Sequence, residues 1–366
     1  MYQPLKIGIT HGDFNGIGYE VMIKTFANHD LLELVTPIIY GSKKIWDYYA
    51  DRLNIKGVDV RVIKEPGEAR SRACNLIEVD QPNSNIKVEP GVPSTTAGRL
   101  AALALLAGRQ DLLERRIDAI VTAPINKDMI QSPEFHFTGH TEFFCAPFEE
   151  TSPTMLFVAN DLRVALATMH MPLNEVPGAL TFDLLYDSIA RLEWVLQQDF
   201  GIDKPRIAVL GLNPHAGENG LLGNEEESVV KPVIQRAWEE GRIVFGPYPS
   251  DGYWGSGTYK HFDVTLALYH DQGLIPLKLL ALEEGVNITC GLPIIRTSPD
   301  HGTAYDIAGK GVASETSFRN AIYQAIDIHR HRTRHEEATR DPLKKTFVAR
   351  GKDNVKLDLS KSVDEE

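Results

Sequence analysis

The chain has 366 residues, 43% of them hydrophobic and 24% charged, with 29 Gly and 21 Pro. This composition excludes collagen-like and low-complexity chains, and the length predicts about two domains. The 38 Lys and Arg against 50 Asp and Glu give a formal net charge of −12, which argues against a protein that binds nucleic acid through its phosphates.

Short β-branched runs alternate with longer helical patterns along the chain. The predicted strands are Lys6–Thr10, Thr36–Tyr40, Ala119–Thr122, Arg163–Thr168, Arg206–Gly211 and Asp263–Leu268. The predicted helices are Ala97–Arg116, Thr181–Gln198, Ser228–Glu240 and Ser317–Arg330. This alternation predicts an α/β fold with a largely parallel sheet. From Arg334 onward the chain is polar, and we expect a tail that is flexible or lies on the surface.

Three features favour a cytoplasmic location. Cys74, Cys145 and Cys290 are too widely spaced for a disulfide framework or a zinc ribbon, so a reducing compartment is expected. The first residues, MYQPLKIGIT, lack the charged and long apolar regions of a signal peptide. No apolar run approaches the roughly 20 residues that a membrane span needs. We therefore expect neither a membrane nor a nucleic acid as partner.

The segment HGDFNGIGYE follows the first predicted strand and is expected to open a helix. Its glycines, Gly12, Gly16 and Gly18, do not have the GxGxxG spacing of the dinucleotide-binding fingerprint. A tight strand-to-helix turn is a sufficient explanation for them.

Three histidines occupy matching places in the sequence. His170, His215 and His270 each lie just after a predicted strand, at the edge where open α/β sheets bind ligands. Three imidazoles that met there would form a metal site with open positions. A hydrogen-bonded loop residue at each place is the alternative, because no pair has the close spacing of a helical metal motif. Asp271 would orient a ligand or act as a base.

A second polar group lies on an otherwise apolar stretch. Lys278, Asn287 and Arg296 offer a point charge, a neutral donor and a planar fork, which together suit a phosphate or a carboxylate. His140 and Thr141 fit the same pocket, because a helix that opens there presents free N–H groups to an anion. The alternative is that the two cations pair with carboxylates or extend into solvent.

Five motifs follow one another along the chain: TGHTEFF, TMHMPL, GLNPHAGE, YHDQGLIPLK and GLPIIRTSPDHGTAYDIAGKG. Together they resemble the 4-hydroxythreonine-4-phosphate dehydrogenase family from about Lys6 to Ile328. The last motif also resembles the cofactor loop of isocitrate and isopropylmalate dehydrogenases, which bind NAD without the fingerprint. The chain departs from the family's typical GDPAGIGPE at Phe14, Asn15 and Tyr19.

The resemblance implies a two-domain isocitrate/isopropylmalate dehydrogenase-like fold with largely parallel core sheets and an interdomain cleft. By analogy, residues 1–135 plus 290–333 are expected to form a first α/β domain on the cofactor side. Residues 136–289 are expected to form a second α/β domain that carries the metal, the substrate and the dimer contact. Residues 334–366 are the polar C-terminal tail.

The resemblance also implies a role for each candidate site residue. One divalent metal (Zn, Co or Mg), shared across a homodimer interface, would be held by His170, His215 and His270. The substrate would be bound by His140, Thr141, Lys278, Asn287 and Arg296. The expected catalytic base is Asp271, with Lys278 as its rival. NAD or NADP would be bound by His301, Gly302 and Asp306.

The implied reaction is the metal-dependent oxidation of 4-phosphohydroxy-L-threonine by NAD(P). Its product, a β-keto acid, loses CO₂ to give 3-amino-2-oxopropyl phosphate in pyridoxal 5′-phosphate biosynthesis. A sister group acts on 4-phospho-threonate or 4-phospho-erythronate. Two further alternatives are a zinc hydrolase with three histidine ligands and a non-catalytic binder of phosphorylated ligands. The HGTAYDIAG loop argues against the hydrolase, and the retention of all three histidines argues against the binder.

Overall fold

The computed structural model describes residues 4–80, 86–148 and 153–341. Its strands are Leu5–Thr10 (β1), Val35–Gly41 (β2), Val60–Ile63 (β3), Cys74–Glu78 (β4), Ala119–Thr122 (β5), Thr154–Ala159 (β6), Leu162–Leu166 (β7), Arg206–Leu210 (β8), Ile243–Tyr248 (β9), Val264–Ala267 (β10), Val286–Cys290 (β11) and Arg296–Pro299 (β12). Its helices are Gly18–Ala27 (α1), Lys43–Leu53 (α2), Thr95–Leu113 (α3), His140–Cys145 (α4), Val176–Ala179 (α5), Phe182–Phe200 (α6), Lys231–Glu239 (α7), Ser250–Gly255 (α8), His270–Ala281 (α9) and Thr316–Arg340 (α10). In the described part of the chain, no helix is long and apolar enough to cross a membrane.

The described strands form one twelve-stranded sheet in the order β3-β4-β2-β1-β5-β12-β11-β6-β7-β10-β8-β9. The strands from β3 to β12 are parallel to one another, and so are those from β7 to β9. The three central pairings, β12–β11, β11–β6 and β6–β7, are antiparallel. The α/β class and the mostly parallel sheet are confirmed. The predicted domain boundary at residues 289 and 290 falls at the end of β11, which pairs with β12 in an unbroken sheet, and the division into two domains stays a prediction.

The six predicted strands are present, with ends shifted by at most two residues. The helix predicted from Ser228 begins instead as a π-helical turn, Glu226–Val230, that leads into α7. Helix α3 packs against β1, β2 and β5, whereas α10 packs against β5, β12, β11 and α6. The C-terminal helix therefore covers the junction between the two parallel halves of the sheet.

Helix α10 continues past its predicted end at Arg330 to Arg340, so residues 334–340 of the predicted polar tail are helical and lie on the surface. Buried Arg332 anchors this helix, because its guanidinium donates to the Asp199 carboxylate at 2.7 and 2.9 Å. The same guanidinium also donates to the backbone carbonyls of Leu292 and Ile294. The remainder of the predicted tail, residues 342–366, lies outside the described residues.

The three departures from the family's first motif fix the turn between β1 and α1. Phe14 is fully buried. The Asn15 side chain donates to the Val92 carbonyl at 2.8 Å. The Tyr19 ring stacks on Tyr49 with centroids 5.8 Å apart. In the described part of the chain, these side chains stabilise the turn by packing and hydrogen bonding. The tight strand-to-helix turn predicted from the glycines is present.

Candidate active site

The three candidate metal ligands follow neighbouring parallel strands, because β7, β10 and β8 are adjacent in the sheet. The structure brings His170 and His270 together, with ring centroids 5.8 Å apart. His215 is exposed and does not line the cavities that the other two share. Among the described residues, no group of three or more His, Cys, Asp or Glu side chains is placed to hold a metal ion. The three-histidine centre therefore stays a prediction.

A polar cavity of about 500 Å³ lies beside His170 and His270, and we call it the central cavity. It is lined by every residue predicted to bind the substrate: His140, Thr141, Lys278, Asn287 and Arg296. An adjoining cavity of about 300 Å³ shares four of these residues and adds His301 and Gly302. The five residues come from α4, α9, β11 and β12, so only the tertiary fold places them around one space.

Arg296 is the buried cation of this cavity, with 2% of its surface exposed. Its Nε and Nη2 donate to the Thr122 hydroxyl at 3.1 and 2.8 Å, and its Nη1 donates to the Thr289 hydroxyl at 3.1 Å. Burial lowers the pKa of Arg296 to about 9. Within the described ranges, no carboxylate forms an ion pair with it. A buried charge held only by hydroxyls is incompletely compensated, and an anion in the cavity would complete it.

Two neighbouring side chains have buried polar atoms with no hydrogen-bond partner among the described residues. These atoms are His140 Nε2 and Asn287 Oδ1. Burial lowers the pKa of His140 well below its ordinary value, and the cations Arg296 and Lys127 lower it further. His140 is therefore neutral near pH 7, and its ring is available for a hydrogen bond to a ligand.

The sequence reasoning missed Asp300, which lines both cavities. Its Oδ2 lies 4.0 Å from the Nζ of Lys278. Burial raises the pKa of Asp300, against the opposing effects of Lys278 and His270. The signal was present in the SPDHG motif, because Asp300 comes directly after β12. Lys127 was missed in the same way, five residues beyond β5.

The two paired histidines differ in their surroundings. Burial lowers the pKa of His170, with smaller contributions from Lys127 and His270, so this imidazole is neutral at pH 7. The Nδ1 of His270 forms a 2.7 Å hydrogen bond with Asp271 Oδ1. If Nδ1 carries the proton of that bond, the Nε2 lone pair of His270 is free for a metal. Asp271 itself is exposed and lines a cavity with both histidines.

Of the three predicted cofactor residues, two line the same cavity and one does not. His301 and Gly302 line the adjoining cavity, whereas Asp306 is exposed and lines neither cavity. Tyr305, between them, donates to Asp13 Oδ2 at 2.8 Å and accepts from Asn126 Nδ2 at 3.0 Å. This link joins the loop after β12 to the loops after β1 and β5, and sequence reasoning did not find it. The cofactor roles stay predictions.

Comparison with known proteins gives matches along the chain. Residues 33–325 match the family described as pyridoxal phosphate biosynthetic protein PdxA. The chain is 48% identical to a 4-hydroxythreonine-4-phosphate dehydrogenase of Bacteroides thetaiotaomicron over 100% of its own length and 99% of the relative's. It is 39% identical to a D-threonate 4-phosphate dehydrogenase of Cupriavidus necator, over 89% of this chain and 98% of that one.

A solved structure supports the same relationship. The 4-hydroxythreonine-4-phosphate dehydrogenase of Klebsiella pneumoniae is similar with a TM-score of 0.77 and 35% identity, over 89% of this chain and 98% of that chain. The five motifs, the mostly parallel sheet and the gathered polar residues agree with these matches. The chain therefore belongs to the family of the pyridoxal phosphate biosynthetic protein PdxA.

Proposed function

We propose that this chain is a 4-hydroxythreonine-4-phosphate dehydrogenase, which oxidises 4-phosphohydroxy-L-threonine with NAD or NADP. When bound, the nicotinamide would accept hydride from the carbon that bears the hydroxyl, and a base of the chain would accept the hydroxyl proton. The resulting β-keto acid loses CO₂ to give 3-amino-2-oxopropyl phosphate. The observation that carries the proposal is the buried, unpaired guanidinium of Arg296 in a cavity with Lys278 and Lys127.

A doubly charged phosphate monoester suits this cation set. Arg296 supplies a planar donor fork, Lys278 a mobile point charge, and His140 and Asn287 carry the unpartnered polar atoms that would contact the rest of the substrate. His140 and Thr141 are the first two residues of α4, whose first N–H groups add to the positive potential. One charge-assisted hydrogen bond of this kind contributes about 1.5–3 kcal/mol to binding.

The donor set also suits a divalent metal. His170 is neutral and His270 has its Nδ1 engaged by Asp271, so two imidazole nitrogens beside the central cavity are free to coordinate. Imidazole ligands favour Zn²⁺ or Co²⁺ over Mg²⁺. When bound, the metal would polarise the substrate hydroxyl. The proton of the substrate hydroxyl would be accepted by a side chain of this protein, Asp271 or its rival Lys278.

We further propose that the enzyme is a homodimer in which His215 of the partner subunit completes the metal site. The single chain leaves His215 exposed and away from the histidine pair. Helix α9, which begins at His270, exposes Ile275 and Leu279, and Leu282 directly after it is exposed as well; Leu279 is 82% exposed. Apolar side chains in a row on a helix are typical of a buried subunit contact.

The nicotinamide cofactor would bind in the adjoining cavity, beside His301 and Gly302. Its role is to accept the hydride, and the chain's role is to orient it. Asp306 lies on the same loop but outside both cavities. It would contact a part of the cofactor that extends out of the adjoining cavity.

The test is an assay of the full-length protein with Zn²⁺, NAD⁺ or NADP⁺, and a panel of phosphorylated four-carbon acids. We expect reduced nicotinamide to form fastest with 4-phosphohydroxy-L-threonine, and unphosphorylated 4-hydroxy-L-threonine to be turned over far more slowly. A higher kcat/KM for 4-phospho-threonate or 4-phospho-erythronate would assign the chain to the sister activity. No reduced nicotinamide with any member of the panel would contradict the proposal.

A further inference from the structure

The turn that carries His215 has an unusual backbone. Five consecutive residues, 215 to 219, have positive φ angles between 42° and 77°. Four of them are not glycine, and L-residues with side chains adopt this region at a cost in free energy. Such a turn persists only where its surroundings hold it, so the contacts around it identify what sets the direction of His215.

Glu226 supplies the first of these contacts, from the π-helical turn before α7. Its carboxylate accepts from the backbone N–H of Asn213 at 2.7 Å and from the Asn213 side chain at 3.0 Å. Glu226 is fully buried, and no cation of the described residues forms an ion pair with it. A Cβ on Gly217 would lie 2.6 Å from Glu226 Oε2, so the turn is packed directly onto the carboxylate.

Gln272 supplies the second contact and links the turn to the other histidines. Its side-chain amide donates to the carbonyl of Gly211, at the end of β8, and to the Ser250 hydroxyl at 2.7 Å. Its Oε1 accepts from the backbone N–H of Leu268 at 2.7 Å. Gln272 follows His270 by two residues and is 7% exposed. One buried amide therefore joins the strand end that leads to His215 with the strand end that leads to His270.

From these contacts we infer that Glu226 is a positioning residue for His215, with Gln272 as the link that sets its turn relative to His270. This inference rests on the proposed function, because it assumes that His215 coordinates the metal. The loss of a group that orients a metal ligand typically weakens metal affinity by about 10- to 100-fold, and Glu226 would orient His215 through Asn213 and the turn that follows it. Neither residue lines the central cavity, so Glu226 would act through the turn of His215, and Gln272 through the strand ends that lead to His215 and His270.

The experiment measures Zn²⁺ affinity of the full-length protein by competition with a chromophoric chelator. Glu226→Gln keeps the side-chain volume but presents an amide donor to Asn213, so one of the two hydrogen bonds is lost. We expect its Zn²⁺ affinity to fall at least tenfold, and that of Glu226→Ala to fall further. Glu227→Gln is the matched control, because Glu227 lies on the same turn and, among the residues that the structure describes, pairs with Lys231 on the surface.

A second measurement does not depend on the metal. Hydrogen exchange of the metal-free protein should be faster at the amides of Asn213 and Ala216 in Glu226→Gln and unchanged in Glu227→Gln. If Glu226→Gln lowers the thermal midpoint but keeps wild-type Zn²⁺ affinity, Glu226 serves folding alone and the inference is overturned.

His215→Ala separates this inference from the proposed function. If His215→Ala loses Zn²⁺ affinity and Glu226→Gln does not, only the positioning role is wrong. If His215→Ala keeps wild-type affinity, the metal centre itself is wrong and the positioning role is overturned with it.

Discussion

Arg296 combines deep burial with hydrogen bonds to hydroxyl groups only. Lysine cannot reproduce a fork that engages Thr122, Thr289 and an anion together. We predict that Arg296→Lys lowers kcat/KM for the phosphorylated substrate by about 10- to 100-fold, which corresponds to the loss of one charge-assisted hydrogen bond. Steady-state kinetics with reduced nicotinamide as the readout checks this.

Arg109→Lys is the control for that substitution. Arg109 is also partly buried, with its guanidinium 3.8 Å from the Phe143 ring centroid, but it does not line the central cavity. We expect its kcat/KM to stay within about twofold of the wild-type value. Equal losses in the two variants would mean that Arg296 supports the fold and not the ligand.

His11 makes the stability of the chain dependent on pH. Burial lowers its pKa from 6.5 to about 4, so the unfolded chain binds a proton that the folded chain does not. The stabilisation is complete above pH 6.5 and is lost as the pH falls towards 4. Between pH 7.5 and pH 5 we predict that this residue alone costs the folded state about 2 kcal/mol.

Urea unfolding of wild type and His11→Gln at the two pH values measures this effect. The variant lacks the titrating ring, so its free energy of unfolding should fall less between pH 7.5 and pH 5 than that of the wild type. Parallel changes in the two proteins would show that other groups govern the acid response.

The site residues differ in how far sequence reasoning reaches them. His170, His215 and His270 were found because each follows an apolar strand, and Lys278 and Arg296 because they interrupt apolar runs. Asp300 was passed over, since its relation to Lys278 depends on how α9 packs beside β12. The left-handed turn at His215 could not be predicted either, because residues other than glycine rarely adopt this conformation and the contacts that hold it, such as that of Glu226, come from elsewhere in the fold.

Helix α3 packs unusually closely on the segment that follows β5. A Cβ on Gly98 would lie 1.8 Å from the backbone carbonyl oxygen of Met129, and a carbonyl cannot rotate away as a side chain can. We predict that Gly98→Ala destabilises the protein by at least about 2 kcal/mol, at or above the middle of the range for overpacking. The midpoint of urea unfolding gives the measurement.

Gly252 provides the comparison, because it is also a helical glycine but has nothing within 4 Å of its Cβ position. Gly252→Ala should be neutral or stabilising by up to about 1 kcal/mol, as alanine restricts the unfolded chain. A stable Gly98→Ala protein would mean that α3 can move away from the segment that presents Lys127.

Some elements were predictable and others were not, for identifiable reasons. Strand β5 was predicted to the residue because it is a wholly buried, β-branched run. The edge strands β3 and β9 were missed because their half-exposed side chains interrupt the apolar pattern. Strands β11 and β12 were missed because Asn287 and Arg296 interrupt their apolar pattern; β11 pairs with β6 and β12, and β12 also pairs with β5. Helix α10 extends beyond its predicted end because Arg332 is bound by Asp199, which is far away in sequence.

The apolar face of α9 bears on the state of assembly. Leu279 is 82% exposed and Leu282, directly after the helix, is 66% exposed, and the same helix begins at His270. We predict that Leu279→Asp converts the proposed dimer to a monomer, because a carboxylate in an apolar interface loses its hydration without a partner. Analytical ultracentrifugation measures this, and Zn²⁺ affinity should fall with the dimer.

Val312→Asp serves as the surface control. Val312 is 65% exposed but lies outside α9 and outside both cavities. We expect this variant to sediment as the wild type does. A wild-type protein that is monomeric at micromolar concentration would refute the shared site, whatever the variants do.

The hydrogen-bonded ladder from β12 through β11 and β6 to β7 restricts how the molecule can deform. Two domains joined only by loops could rotate apart about a hinge at little cost in free energy. Here such a rotation would break backbone hydrogen bonds between strands in the middle of the sheet. Ligand entry and release must then rely on changes in sheet twist and on movement of the segments above it. We therefore expect the sheet beneath the central cavity to deform less on ligand binding than the segments above it.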